Sequence, residues 1–353
     1  MSAEAPRSPS RFVYIDCIRG LAALYVLLQH TLEYGGFIRV IGEGPYNWIA
    51  NFGQAGVFAF FLVSGFVIPS SLERSQSSAD FWVKRATRIY PLYLFIFALT
   101  FLFKTFVALE PLQSLGLTFF GQIFFLNSWV GLVDYVEGSW TLVIEMMWYI
   151  GLFGWWKING SLHTNRLLIT AFVLCIIVSL IAIYSPIRVP LGRLGMMLAC
   201  CWGLFVLDYS RGRFQLRDFM IVNALFLCTT AFILYVGFGL RPSSQSAEIM
   251  PFQVALSSWL IGAATFFFFY IFRASSIAHN KILIWLGTIS YSVYLTHPLI
   301  LRVLHYHNIE GYYLLLAGIT LTMLVSTLTY RFIEHPFTSS SHGKNKKYQL
   351  EKA

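Results

Sequence analysis

Long apolar runs broken by short polar clusters set the rhythm of this chain. Runs begin near Phe12, Ala50, Pro91, Ser139, Leu167, Pro190, Phe219, Pro251, Ile282 and Gly311, each of about 18–24 residues. That length matches a helix crossing roughly 30 Å of hydrocarbon. The pattern predicts an all-α, polytopic membrane bundle of about ten transmembrane helices. An eleventh apolar stretch, Leu112–Val130, is interrupted by Gly116, Gly121, Gln122 and Asn127.

Loop charge decides how that stretch is read. Arg74, Lys84, Arg85 and Arg88 precede the third run; Lys157 and Arg166 bound another loop; Arg211, Arg213 and Arg217 lie in the next; Lys344, Lys346 and Lys347 lie in the tail. With ten crossings all of these share the cytoplasmic side, as Lys and Arg do in membrane proteins. The acid-bearing loops around Glu33–Glu43, Asp134–Glu137, Glu248 and Glu310 then fall outside. An eleventh crossing would reverse every later loop, so Leu112–Val130 is expected to be a re-entrant or interfacial segment. The expected layout is a cytoplasmic tail over 1–11, a transmembrane domain over 12–337 and a polar cytoplasmic tail over 338–353. Phe81–Tyr90, rich in aromatics and bases, is expected in the interface before the third span.

Composition agrees with lipid as the solvent. The 353 residues are 57% hydrophobic and only 12% charged, with 33 phenylalanines, about half the charge of an ordinary soluble domain. Mean hydropathy is +0.65. The formal charge of +9 is dispersed in loop clusters, not gathered in a stripe, which excludes a nucleic-acid partner and fits membrane orientation. Asp16 and Arg19 interrupt the first run, so no cleavable signal peptide is expected there. Five cysteines (Cys17, Cys175, Cys200, Cys201, Cys228) fall inside apolar stretches, with no Cys/His metal spacing. They read as small buried hydrophobes, and no metal is expected.

Charges at membrane depth each cost on the order of 2.5 kcal/mol or more, so each requires a reason. Arg19 and His30 lie eleven residues apart in the first run, three helical turns plus about 20°, which sets them on one face roughly 16 Å apart. Compact Ala22, Ala23 and Val26 lie between them. His30 reads either as an inter-helix hydrogen bond or as chemistry. Ser64-Gly65 reads as a close-packing site or as a polar contact in a site. Arg85 and Arg88, at i and i+3, are topology signals or a guanidinium fork for phosphate. Glu145, one to two turns into its span, falls at a depth similar to His30 and reads as a group that orients the imidazole, holds a proton or neutralises a charge, with Tyr149 one turn deeper. Tyr291, Tyr294 and His297 share the ninth span, and Arg331 with Glu334 reads as a local ion pair.

Taken together, Arg19, ten residues and His30; Gly56-Val57 leading to Phe60-Phe61-Leu62-Val63-Ser64-Gly65-Phe66; Arg85-Ala86-Thr87-Arg88-Ile89-Tyr90-Pro91; Ser139-Trp140-Thr141 followed by Glu145; Ser290-Tyr291-Ser292-Val293-Tyr294-Leu295-Thr296-His297; and Tyr330-Arg331-Phe332-Ile333-Glu334-His335-Pro336-Phe337 resemble, in order and spacing, the acyltransferase-3 family of integral membrane acyltransferases. The match runs from about Phe12 to Phe337. Phe58 stands where an Asp, Glu or Arg often follows the Gly-Val pair, and His335 replaces the more usual Arg.

The resemblance implies ten membrane helices and transfer of an acyl group, usually acetyl from acetyl-CoA, to a hydroxyl. Family acceptors include O-antigen sugars, exopolysaccharides, nodulation-factor glycans and macrolides. The hydrolase-like domain that many O-antigen enzymes append is not seen here, so the membrane unit is expected to complete the transfer, alone or with a partner. On this reading His30 and Glu145 are catalytic, while Arg19, Ser64, Arg85, Arg88, Tyr149, Tyr291 and His297 bind the acyl-CoA or substrate. The expected setting is the cytoplasmic membrane, with acyl-CoA, a glycan or other hydroxyl acceptor and membrane lipids as partners. Two rivals from other classes are a proton-coupled transporter using Glu145 and His30 as a relay and a non-catalytic scaffold. The inverted repeats of many transporters are not seen in the sequence.

Overall fold

The chain is described from a computed structural model over residues 12–39, 48–109, 115–127, 134–185, 189–240 and 250–339. Regular structure among these residues is wholly helical. In chain order the helices are α1 (Val13–Tyr34), α2 (Phe52–Glu73), α3 (Ser78–Leu102), α4 (Leu115–Ile123), α5 (Trp140–Asn159), α6 (Thr164–Tyr184), α7 (Leu191–Ser210), α8 (Leu216–Leu234), α9 (Phe252–Ile271), α10 (Lys281–Thr288), α11 (Ser290–Tyr306) and α12 (Gly311–Thr329). Five-residue π-helical turns extend α3, α8 and α12.

Local signals set several boundaries. The Asn51 side chain accepts the Gln54 amide at 2.8 Å and opens α2; Ser77 does the same for Asp80 at 3.1 Å and opens α3. Each satisfies a donor that the first turn leaves orphaned. Gly160, with φ +71°, closes α5.

Among the described residues, seven helices are long and apolar enough to cross a membrane: α2, α3, α6, α7, α8, α9 and α12, with their extensions. The chain is a multi-pass membrane protein. The remaining long stretches, α1, α5 and the α10–α11 pair, carry the polar residues of interest, and with the seven they approximate the ten spans expected. Burial separates a centre from a rim: α2 and α7 are 78% buried along their apolar windows, whereas α6 and α8 are 28% and α12 is 22%. The rim helices turn their leucines and isoleucines to lipid.

At the centre the backbones touch. A Cβ on Gly65 of α2 would strike the Cys200 carbonyl of α7, and one on Gly203 of α7 would strike the Leu62 carbonyl of α2. This reciprocal contact is the close packing that small residues permit between membrane helices. At one end of α2 and α7, buried Asp208 binds Arg213 at 3.0 Å and Arg211 at 3.4 Å. Arg211 reaches on to Glu73 at 2.8 Å, and Thr164 donates to Asp208.

Three expectations are corrected. The third span starts at Ser78, not near Pro91, and in its first turns Phe81 is fully buried against Tyr149 and Phe153 while Val83 faces outward. The ninth span is two helices meeting at Ile289. Cys228 is exposed, unlike the other four cysteines.

Within Leu112–Val130 lies α4, of nine residues, about 14 Å long and too short to cross. Tyr93 donates to the Gln122 side chain at 2.7 Å and Tyr90 to the Ile123 carbonyl at 3.0 Å, which docks α4 on α3. Residues 112–114 and 128–130 of this stretch, residues 1–11, Glu43, Glu248 and the lysines at 344, 346 and 347 lie outside the described residues.

Candidate active site

Helices α1, α2, α3, α5 and α11 enclose a cavity of about 440 Å³. Of the nine site residues expected from sequence, it gathers Arg19, Ser64, Arg85, Arg88, Glu145, Tyr149 and Tyr291 in its wall. His30 and His297 are not in that wall; they stand together beyond Tyr294, which is.

The basic end is formed where α2 leaves its span and α3 enters. Exposed Arg74 and half-buried Lys84 mark the mouth, and Arg85 and Arg88 follow on the inward face of α3. Lys84 is held by Asp80 at 2.7 Å. Arg85 donates to Ser71 at 3.1 Å and lies over the Phe81 and Tyr149 rings at 5.9 and 5.7 Å. Its Nε is buried without a hydrogen-bond partner among the described residues. Arg19 sits 4.0 Å from Asp16.

Arg88 does not form a free fork with Arg85. Its guanidinium pairs with Glu334, which is only 1% exposed, and lies 5.2 Å over the Tyr291 ring. Ser292 donates to the other Glu334 oxygen at 2.9 Å. The expected Arg331–Glu334 pair is therefore not the one formed; Arg331 lies over Phe332 instead, at 5.7 Å. Residues three apart share a face of an α-helix, but Tyr330–Glu334 is a π-helical turn. Its wider winding carries Glu334 inward and leaves Arg331 outside.

In the middle of the cavity, Tyr149 donates to Glu145, and Ser64 donates to the same oxygen at 3.5 Å. Glu145 thus does not partner His30 as expected. The carboxylate that does is Glu33, one turn along α1, whose Oε2 accepts the His30 Nδ1 hydrogen at 2.8 Å. Its other oxygen accepts Gln29 Nε2 at 2.7 Å, while fully buried Gln29 accepts the Phe52 amide at 2.9 Å. The first amide of α2 thereby fixes Gln29, which fixes Glu33, which fixes the ring.

His30, with its side chain 43% exposed, stacks on His297 with centroids 5.3 Å apart and planes 22° from parallel. His297 is 2% exposed and donates from Nδ1 to the Val293 carbonyl at 2.9 Å. Tyr294 meets the His297 ring edge-on at 6.1 Å. Its hydroxyl bonds Thr141 at 2.9 Å and the Gly138 carbonyl at 3.1 Å. Phe60 packs on Tyr294 at 6.3 Å. Both rings line the cavity, and Tyr294 stands between its wall and His297.

Sequence reasoning missed Glu33, Gln29, Glu334 and the partition made by Tyr294. Glu33 carried a signal, three residues after His30 on one helix, but was assigned to an outer loop. No cluster of three metal-ligating side chains occurs among the described residues.

The family model described as an acyltransferase domain matches residues 12–331. YrhL of Bacillus subtilis (strain 168), provisionally named a peptidoglycan O-acetyltransferase, is 26% identical over 91% of this chain and 54% of its own length. SACOL0978 of Staphylococcus aureus (strain COL), provisionally named an O-acetyltransferase, is 24% identical over 92% of this chain and 56% of its own. The acyltransferase MdmB of Streptomyces mycarofaciens is 29% identical over 48% of this chain and 47% of its own. The chain spans about half the length of the curated relatives it matches. No solved structure matches it.

Proposed function

The chain belongs to the acyltransferase-3 family, and from that premise we propose that it is a membrane O-acyltransferase moving acetyl from acetyl-CoA to a glycan hydroxyl. The donor enters from the cytoplasm; the excess of Lys and Arg in the loops of the basic mouth and in the tail supports a cytoplasmic side for these and for both termini. The host is the cytoplasmic membrane, and residues 12–337 form the acyltransferase domain between tails 1–11 and 338–353.

The observation that carries this reading is the cavity itself, basic at one end and lined further in by Tyr294, whose ring touches His297 of the stacked imidazoles. Its volume of about 440 Å³ is of ligand-pocket size. Arg85, with Arg19, Lys84 and Arg74, supplies charge-assisted donors for the phosphates of CoA. Arg88 is committed to Glu334 and shapes the wall. The apolar flank of Val57, Phe60, Phe61 and Val63 suits the pantetheine arm. Ser64, Glu145, Tyr149 and Tyr291 offer it polar contacts beyond the phosphates.

With its Nδ1 hydrogen on Glu33, His30 presents Nε2 as the general base. It takes the proton of the acceptor hydroxyl as that oxygen attacks the thioester carbonyl carbon. The carbon–sulfur bond then breaks, and the CoA thiolate leaves and regains a proton. Glu33 holds the ring in the productive tautomer, the role the sequence had given to Glu145. Tyr294 stands on the thioester's path to His30 and must swing aside for transfer.

The test is acetyl transfer from labelled acetyl-CoA by the protein in nanodiscs. General-base catalysis contributes about 10²–10⁴-fold, so His30→Ala should lose at least the lower figure while still binding acetyl-CoA and keeping its unfolding temperature. Near-normal turnover in that variant refutes the assignment. Flux of solute without any acyl donor would favour a transporter.

A further inference from the structure

Buried polar groups in native proteins are hydrogen-bonded, and each exception asks for an explanation. His297 is 2% exposed, yet its Nε2 has no partner among the described residues. Its Nδ1 donates to the Val293 carbonyl at 2.9 Å. A carbonyl can only accept, so the ring hydrogen is on Nδ1 and Nε2 carries a lone pair. Nothing described on the protein gives that lone pair a hydrogen.

The neighbouring ring is in the same condition. His30 donates from Nδ1 to Glu33 at 2.8 Å, and no hydrogen bond among the described residues engages its Nε2. The rings are stacked at 5.3 Å and 22° from parallel, so two Nε2 lone pairs, each set by a tied Nδ1, belong to adjacent rings. One ring is half-exposed and the other sealed. Two adjacent acceptors are complementary to two adjacent donors.

We infer that His297 is an acceptor-recognition residue: its Nε2 takes a hydrogen bond from a second hydroxyl beside the one His30 deprotonates, so the pair selects substrates bearing a vicinal diol. The inference rests on the acyl-transfer reading and deepens it. His297 gains no proton in the reaction; the transferred proton goes to His30 and then to the CoA thiolate. A monohydric alcohol leaves the buried Nε2 unpaired in the complex, and a site built around a hydrogen bond discriminates against ligands that lack it.

The probes are cis-1,2-cyclohexanediol and cyclohexanol, which share a ring and differ by one hydroxyl, offered with acetyl-CoA to the full chain in nanodiscs. Wild type should acetylate the diol with a kcat/KM about tenfold or more above the alcohol. His297→Phe keeps an aromatic ring against His30 but has no lone pair; it should bring the ratio to about one by slowing the diol more than the alcohol. His297→Gln, whose amide oxygen can accept in place of Nε2, should keep part of the preference, and it serves as the variant to read if His297→Phe does not fold.

A wild-type ratio near one overturns the inference, because then Nε2 holds a structural water only. An unchanged ratio in His297→Phe overturns it as well. Equal loss on both probes overturns it too, by making His297 a general structural or catalytic support. If wild type neither binds acetyl-CoA by calorimetry nor acetylates either probe, the acyl-transfer reading falls and this inference with it. Normal binding and alcohol transfer without diol preference sink only the inference.

Discussion

The two ends of the site are built in opposite ways. At the imidazole end, Gln29, His30 and Glu33 come from one turn of α1, and a single backbone amide of α2 locks them. At the guanidinium end, the ion pair of Arg88 and Glu334 joins positions 246 residues apart, with Ser292 from a third helix. The local end has a geometry that helix winding alone supplies. The distributed end exists only once α3, α11 and α12 have docked. Orientation of the His30 ring is thus secured locally, whereas the shape of the cavity depends on the completed bundle.

The strongest way to break that contrast is at Glu334. Removing one member of a buried pair leaves an uncompensated charge, at a cost of about 3 kcal/mol or more. Glu334→Ala should therefore lower the thermal unfolding temperature clearly, and exchanging the two residues (Arg88→Glu with Glu334→Arg) should recover part of it. No loss of stability would make Arg88 a phosphate ligand after all.

Glu33 should behave differently. A carboxylate that holds the tautomer of a catalytic imidazole can matter by as much as about 10⁴-fold in kcat, so Glu33→Ala should lower kcat at least about tenfold, with acetyl-CoA affinity and unfolding temperature nearly unchanged. Glu33→Gln, whose carbonyl can accept from Nδ1 but whose amide can also donate to it and favour the wrong tautomer, should stay slow. A parallel fall in stability would show that the local end is structural too.

Tyr294 sharpens the boundary between the ends. Tyr294→Ala removes the partition and should raise acceptor-independent hydrolysis of acetyl-CoA several-fold, measured as free thiol. An unchanged leak would place the barrier elsewhere. The smallest effect is expected at Lys84, whose pair with Asp80 lies at the mouth. Such partly solvated pairs contribute under about 1 kcal/mol, so Lys84→Ala should leave unfolding unchanged and weaken acetyl-CoA binding only a few-fold, more at low salt than at high.

Much of this could be read along the chain. Apolar runs of spanning length gave the helical membrane class, and the polar residues that break them at Arg19, Ser64, Arg85, Glu145, Tyr149 and Tyr291 do meet in one cavity. Pairings were harder. Arg331 and Glu334 stand at a spacing that pairs on an α-helix, and nothing in Tyr330-Arg331-Phe332-Ile333-Glu334 announces the wider turn that parts them. Glu145 and His30 are at comparable depth on their own helices, but depth says nothing of azimuth, and Ser64 and Tyr149 claim the carboxylate. Glu33 was legible by its distance from His30 and was passed over because it sits where a span ends.

The reciprocal contact of Gly65 and Gly203 has a mechanical corollary. Two backbones in direct apposition have no rotamers to exchange, so the α2–α7 seam is a fixed anvil at the molecule's axis. Any breathing that admits a bulky ligand must be taken up on the opposite wall, where α3 and α11 meet α2 through aromatic rings and long cations that can pivot.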